Sequence, residues 1–128
     1  MNTKREWKLH IPGEGVSFSA MCSHLEGSLY RLESIPFAAE TIAYGDTFEG
    51  EDIGDKLRVR WVVERAGRRN YSFILTQASC ESAHLKSILA TVGQQGGVWE
   101  QAFGGVLAIS LPPGAEYDPT ADVLACSR

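Results

Sequence analysis

The strongest constraint on this chain is a change of hydrophobic period part-way along it. Up to about residue 76 apolar side chains tend to alternate with polar ones, as at Trp7, Leu9 and Ile11 and again at Leu57, Val59, Trp61 and Val63. A period of two puts such residues on one face of a strand. Further on, Leu85, Ile88, Leu89 and Val92 recur at i, i+3, i+4 and i+7, the stripe of an amphipathic helix. Strands followed by helix, two strands and helix make an α+β pattern. The expected architecture is an antiparallel, partly barrel-like β-rich half over about 1–66, continuing into a β-α-β-β-α half over about 67–128. The two are read as one domain of 128 residues, because each half alone is small for a core of its own.

Local signals place the elements. Trp7–Ile11 is a first strand closed by Pro12–Gly15, Val16–Cys22 has no decisive pattern, and Ser28–Ile35 is a second strand. Lys56–Glu64 and Tyr71–Thr76, joined by the turn residues Ala66–Asn70, predict an antiparallel hairpin. Strict alternation along Lys56–Glu64 puts Trp61 inward with Leu57, Val59 and Val63, and turns Arg58 and Arg60 outward. Ser79 is the expected N-cap of the following helix, Glu81 complements its dipole and Gly93 closes it as a left-handed residue. Val98–Phe103 and Val106–Leu111 read as strands joined through Gly104–Gly105. Asp118 before Pro119 is an N-cap followed by proline at N1, opening a last helix that carries Val123, Leu124 and Cys126 towards the core. Whether Trp99 and Phe103 belong to core or interface stays open.

The least generic stretch is Ile35–Glu51. Pro36 fixes its own φ and pushes Ile35 to extended geometry, so the chain bends there. Phe37, Ile42 and Phe48 can anchor the bend, while Gly45 supplies the left-handed conformation of a Tyr44–Gly45–Asp46 turn. Charge is segregated around it. Glu40, Asp46, Glu49, Glu51, Asp52 and Asp55 follow one another with no base between them, and Lys56, Arg58, Arg60, Arg65, Arg68 and Arg69 come next with only Glu64 opposing. Such blocks are either two solvated faces or an acidic docking surface. Tyr44 and Phe48 are the nearest aromatic anchors, with Phe48 the better core residue.

Several chemistries find no support in the pattern. Cys22 and His24, with Cys80 and His84, are zinc-ligand types, but their spacings match no zinc signature, so no metal is expected. His10, His24 and His84 lack an acid or nucleophile nearby in sequence. The glycines form neither a P-loop nor a dinucleotide fingerprint, and no cofactor is implied. Three cysteines at unrelated spacings fit reduced thiols. No apolar run approaches the roughly 20 residues of a membrane span. The basic N-terminal residues lack a signal-peptide apolar segment, so the expected location is the cytoplasm and no membrane partner is implied. Arg58, Arg60, Arg65, Arg68 and Arg69 with Trp61 and Tyr71 could bind nucleic acid. That reading is set aside because alternation would put Arg60 and Trp61 on opposite faces, and because the net charge is −4.

At Tyr30–Phe37, continued by Ile42–Glu49, and again at Leu107–Pro113, the chain resembles a bacterial family known as domain-of-unknown-function family 4265. The resemblance implies a helix after the central hairpin, a glycine-bounded strand and a short last helix, and it implies no activity.

The functional expectation is a small non-enzymatic cytoplasmic protein-binding domain, of the kind that as an immunity protein neutralises a basic toxin domain such as a nuclease. An acidic domain suits a partner of opposite charge, whose association it steers. The partner surface is expected at Glu40, Tyr44, Asp46, Glu49, Glu51, Asp52 and Asp55. The alternatives are a regulatory or small-ligand-sensing domain with a pocket between the two halves, a nucleic-acid binder, and an enzyme of unrecognised type.

Overall fold

Strand β1 (Thr3–Ile11) turns through Pro12–Gly15 into β2 (Val16–His24), and in the computed structural model the two pair antiparallel from Thr3 opposite His24 to Ile11 opposite Val16. The structure describes residues 3–126. Strands β3 (Leu29–Leu32), β4 (Thr47–Asp52) and β5 (Lys56–Glu64) continue the meander. The sheet then closes, β5 lying beside β1 with Leu57 opposite Leu9. In a meander of five strands the first and last run in the same direction, so this closing pair is parallel while the other four are antiparallel. Closure leaves no open edge.

The barrel interior holds Trp7, Leu9, Ile11, Cys22, Tyr30, Leu32, Phe48, Leu57 and Val59, with Ile42 supplied by the segment between β3 and β4. Gly50 has a packing reason to be glycine. A Cβ there would lie 2.9 Å from both the Leu57 and the Tyr30 side chain, so the β4 backbone approaches the core where any larger residue would displace it. The second expected strand is shorter than read, since β3 ends at Leu32 and the chain leaves the ladder before Pro36. Gly45 has the positive φ its turn requires, +85°.

Beginning at Gly67 a second unit forms around its own core. Its elements are β6 (Arg69–Ile74), α1 (Gln77–Cys80), α2 (Ala83–Gln94), β7 (Val98–Ala102), β8 (Val106–Leu111) and α3 (Thr120–Cys126). The antiparallel sheet has the order β6-β8-β7. α2 contributes Leu85, Ile88, Leu89 and Val92 to a core shared with Leu107, Ile109 and Leu111 of β8 and Val123 of α3. The α+β pattern of a β-rich first half and a β-α-β-β-α second half is therefore the architecture observed.

Four local expectations are corrected. The hairpin over residues 56–76 does not form: both edges of β5 are taken by β4 and β1, and β6 pairs instead with β8, where Tyr71 and Phe73 meet Ile109 and Leu107. Ser79 is not the N-cap of the helix that carries the Leu85–Val92 stripe: it lies inside the single turn α1, capped by Thr76, and Ser82 caps α2 by accepting the Leu85 N–H. Gly93 lies inside α2, and the left-handed residue closing it is Gly96, φ +77°. Asp118 does accept the Thr120 N–H at the start of α3, but Leu124 points outward and only Val123 is fully buried.

Candidate functional site

The outward face of β4 and β5 is shaped by two irregularities. Opposite Phe48, Glu49 and Gly50 stand Val62, Trp61 and Val59, so Arg60 is an extra residue between two ladder partners. A second shift leaves Val63 extra between Val62 and Glu64. Each bulge places two residues of one strand against one of its neighbour and breaks the period of two. Leu57 and Val59 face the core and Val62 packs against it, while Trp61 and Val63 are turned out, 54% and 52% exposed. The expectation that Trp61 and Val63 face inward is thus overturned, and with it the placing of Arg60 and Trp61 on opposite faces. The Arg60 guanidinium carbon lies 5.3 Å from the Trp61 ring centroid, within the range of a cation–π contact.

An open groove runs along this surface, lined by Pro12, Gly13, Glu51, Arg58, Val59, Arg60 and Trp61. Glu51 spans it, with Arg58 Nη1 at 3.0 Å and Arg60 Nη1 at 3.9 Å. Both pairs are close to half exposed, where an ion pair contributes about 0–1 kcal/mol. Glu49 follows two residues earlier on the same face of β4 and accepts a hydrogen bond from Ser28 Oγ at 2.8 Å. Asp52 accepts the Gly54 N–H in the turn to β5, and Asp55 is exposed in that turn. The structure therefore strings Glu49, Glu51, Asp52 and Asp55 along one hairpin beside an exposed tryptophan.

Three expected site residues lie elsewhere. Asp46 is 1% exposed. Its carboxylate accepts the Ala43 N–H at 3.0 Å, the Ala66 N–H at 2.9 Å and Arg65 Nη1 at 3.2 Å, so it ties the loop before β4 to the end of β5 and is withdrawn from the surface. Tyr44 is half-buried in that loop, and Glu40 is exposed in it. Sequence reading missed the group that holds the loop: Glu14, in the β1–β2 turn, accepts the Glu40 N–H at 2.8 Å, the Thr41 N–H at 2.9 Å and the Thr41 hydroxyl. These bonds depress its carboxyl below the ordinary value, the Thr41 hydroxyl most. A lone glutamate in a Pro-Gly turn carries no sequence signal for a contact 26 residues away.

The sulfur and imidazole groups have structural surroundings. Cys22 is buried in the barrel, and burial, with Glu33 nearby, pushes its thiol up to about 12. His24 is hydrogen-bonded to the Gly27 carbonyl at 2.6 Å and stacked on Tyr30. His10 shares a hydrogen bond with Ser17 Oγ. Among the described residues no three His, Cys, Asp or Glu groups are placed to hold a metal ion, and no helix is long and apolar enough to cross a membrane.

A closed five-stranded barrel with a tryptophan, two arginines and a line of carboxylates on one hairpin, followed by a three-stranded sheet bearing helices, defines an α+β domain whose exposed chemistry lies on strand faces. The chain belongs to the family described as "Domain of unknown function (DUF4265)", which it matches over residues 19–128. It is also similar to a solved structure described as a hypothetical protein from Neisseria gonorrhoeae, with a TM-score of 0.64 at 16% identity over 94% of this chain and 85% of that one. At that identity the likeness is one of fold. Comparison with curated proteins returned no match.

Proposed function

We propose that this chain is a non-enzymatic protein-binding domain of the cytoplasm that docks a basic partner through the outward face of β4 and β5, and that the partner is a toxin domain which it neutralises. The observation that carries the reading is Trp61, turned out of the barrel by the bulge at Arg60 and more than half exposed beside Val63. Tryptophan and arginine are enriched among the residues that dominate interfaces, and a central aromatic ringed by charge is the usual anatomy of a docking patch. Glu49, Glu51, Asp52 and Asp55 supply the acidic rim, which steers a basic partner and sets its orientation. Glu40, Tyr44 and Asp46 leave the partner-binding set; Trp61 and Val63 join it.

The test is neutralisation. The genes flanking this one are searched for a toxin domain, whose absence counts against the reading, and the domain found is expressed in a sensitive host with and without the chain. Protection by the native protein and its loss with the folded Trp61→Ala variant are expected; the proposal fails if the chain gives no protection, or if Trp61→Ala protects as well as the native protein.

A second reading gains from the same bulge. Arg58, Arg60 and Trp61 share one surface, the combination of phosphate-binding and base-stacking groups seen in single-strand binders. It is the weaker reading because Glu51 already engages both arginines. Retention of a single-stranded oligonucleotide on a filter at low salt, lost with Trp61→Ala, would favour it over the protein partner.

A further inference from the structure

We propose that the end of the barrel where β1 begins and β4 finishes binds a small zwitterion, a ligand with a carboxylate and an amine close together as in a free amino acid. The strand registers bring the necessary groups to this end. Arg5 lies opposite Cys22, Tyr30 opposite Phe48 and Asp52 opposite Leu57. Directly opposite residues of an antiparallel pair share a face, so all three side chains leave their strands on the side that carries the core. Trp7 is the next inward residue of β1 after Arg5. Mouths of β-barrels are common places for small-molecule sites.

Hydrogen-bond donors gather here without acceptors. Trp7 is 8% exposed, and its Nε1–H is the one buried side-chain polar group without a hydrogen-bond partner among the described residues. A buried donor of this kind calls for an acceptor from outside the chain. The Arg5 guanidinium carbon stands 3.5 Å from the Trp7 ring centroid, and Arg5 takes part in none of the ion pairs among the described residues. The Tyr30 ring meets Trp7 edge to face at 5.6 Å, and its hydroxyl donates to no group of the described residues. A guanidinium fits a carboxylate through two parallel bonds, and the indole N–H and the phenol O–H each add one donor.

Asp52 supplies the opposite sign. The Tyr30 ring runs over Gly50, where a Cβ would come within 2.9 Å of Cδ1 and 3.1 Å of Cε1, and Asp52 is the following inward residue of β4. Its charge reaches the phenol: Tyr30 is pushed up from its ordinary value first by burial and next by Asp52, with Arg5 acting in the opposite sense. Asp52 uses Oδ1 for the Gly54 N–H, which leaves Oδ2 for a ligand amine. A phosphate or a lone carboxylate would be repelled by this charge, whereas a zwitterion is attracted by it, so the acid selects the ligand class. His24 stacks on Tyr30 at 4.7 Å and is itself fixed by the Gly27 carbonyl, so the phenol is in position before the ligand arrives.

The experiment is a proton–nitrogen NMR titration of the full chain, with each standard amino acid, sodium acetate and ethylamine as separate probes at equal millimolar concentration. The indole N–H signal of Trp7 is assigned with Trp61→Phe and Trp99→Phe, both at exposed positions. At least one amino acid should move the Trp7 signal downfield and saturably, while acetate and ethylamine leave it in place. Arg5→Ala should weaken this binding about tenfold or more, as loss of hydrogen bonds to a charged group does, and Asp52→Asn should weaken it as well. Both residues are exposed, so the backbone spectra of the variants should stay native away from the substitution. The proposal is overturned if no amino acid moves the Trp7 signal, if acetate moves it as far, or if folded Arg5→Ala binds as the native protein does.

Discussion

Arg60 and Trp61 are consecutive in β5, yet the guanidinium of one lies 5.3 Å from the ring centroid of the other on the same outer surface of the barrel. In an uninterrupted strand neighbours point to opposite sides. One extra residue opposite β4 therefore decides which aromatic is core and which is surface. The stability of point variants should follow this division. Trp61→Ala should change the free energy of unfolding by no more than about 0.5 kcal/mol, as for other exposed positions. Leu57→Ala, three residues before the bulge and fully buried, should cost about 2–5 kcal/mol through lost burial and the cavity left. Urea melts of the two variants check this; comparable losses would mean that Trp61 is packed.

Asp46 carries more of the fold than its place in an acidic run suggests. Asp46→Asn exchanges a carboxylate oxygen facing N–H donors for an NH2 group, and the buried donors of Ala43 or Ala66 lose a partner. The expected cost is about 1–3 kcal/mol. Arg65 is 62% exposed, and Arg65→Ala should cost about 1 kcal/mol or less. Chemical denaturation of both variants gives the order; an Asp46→Asn melt superposable on the native one contradicts the assignment.

Acid stability should report on Glu14. Its folded-state carboxyl titrates below the ordinary value of 4.5, so the unfolded chain binds the proton more readily and stability rises with pH through this range. The contribution is complete above the ordinary value and is lost as pH falls through the depressed one. Melting temperatures between pH 3 and 6 should therefore fall less steeply for Glu14→Gln than for the native chain. Parallel curves for the two proteins would show that the loop is not held through this carboxylate.

Thiol reactivity should divide the cysteines. Cys22 is enclosed in the barrel with its thiol pushed up to about 12, whereas Cys80 and Cys126 are partly exposed. The thiolate is the reactive form, so a thiol reagent at pH 8 should label Cys80 and Cys126 in the native protein and reach Cys22 only on unfolding. Mass mapping of the labelled peptides checks this, and rapid native labelling of Cys22 contradicts it.

Residues that act on near neighbours were legible from sequence. The alternation at Trp7, Leu9 and Ile11, the stripe from Leu85 to Val92, the Gly45 turn and the Asp118 cap each depend on residues a few positions apart, and each appears as read. Pairing between distant segments was not. That β6 lies beside β8 rather than β5 is settled by which strand still has a free edge once the barrel closes, and no local pattern encodes closure. The bulges on β5 were hidden for a related reason. Arg60 and Val63 are ordinary strand residues, and they become extra only against the length of β4. Of the candidate site only the run of carboxylates was legible: that Glu49, Glu51, Asp52 and Asp55 share the β4–β5 hairpin depends on the pairing of those strands, the exposure of Trp61 on the bulge, and the burial of Asp46 on donors supplied from residues 43, 65 and 66.

The docking face proposed at Trp61 and the carboxylates around it would show in the kinetics of association. A basic toxin domain against which the chain protects in the neutralisation test is immobilised, and binding of the native chain, of Trp61→Ala and of the triple variant Glu49→Gln, Glu51→Gln, Asp52→Asn is followed at low and high salt. Trp61→Ala should dissociate faster and lose at least about 2 kcal/mol of binding free energy, as a central aromatic anchor does. The triple variant should associate more slowly at low salt and approach the native rate at high salt, since rim charges act mainly through steering. If both folded variants bind with native rates at low salt, the outward face of β4 and β5 is a solvated surface and the account is wrong.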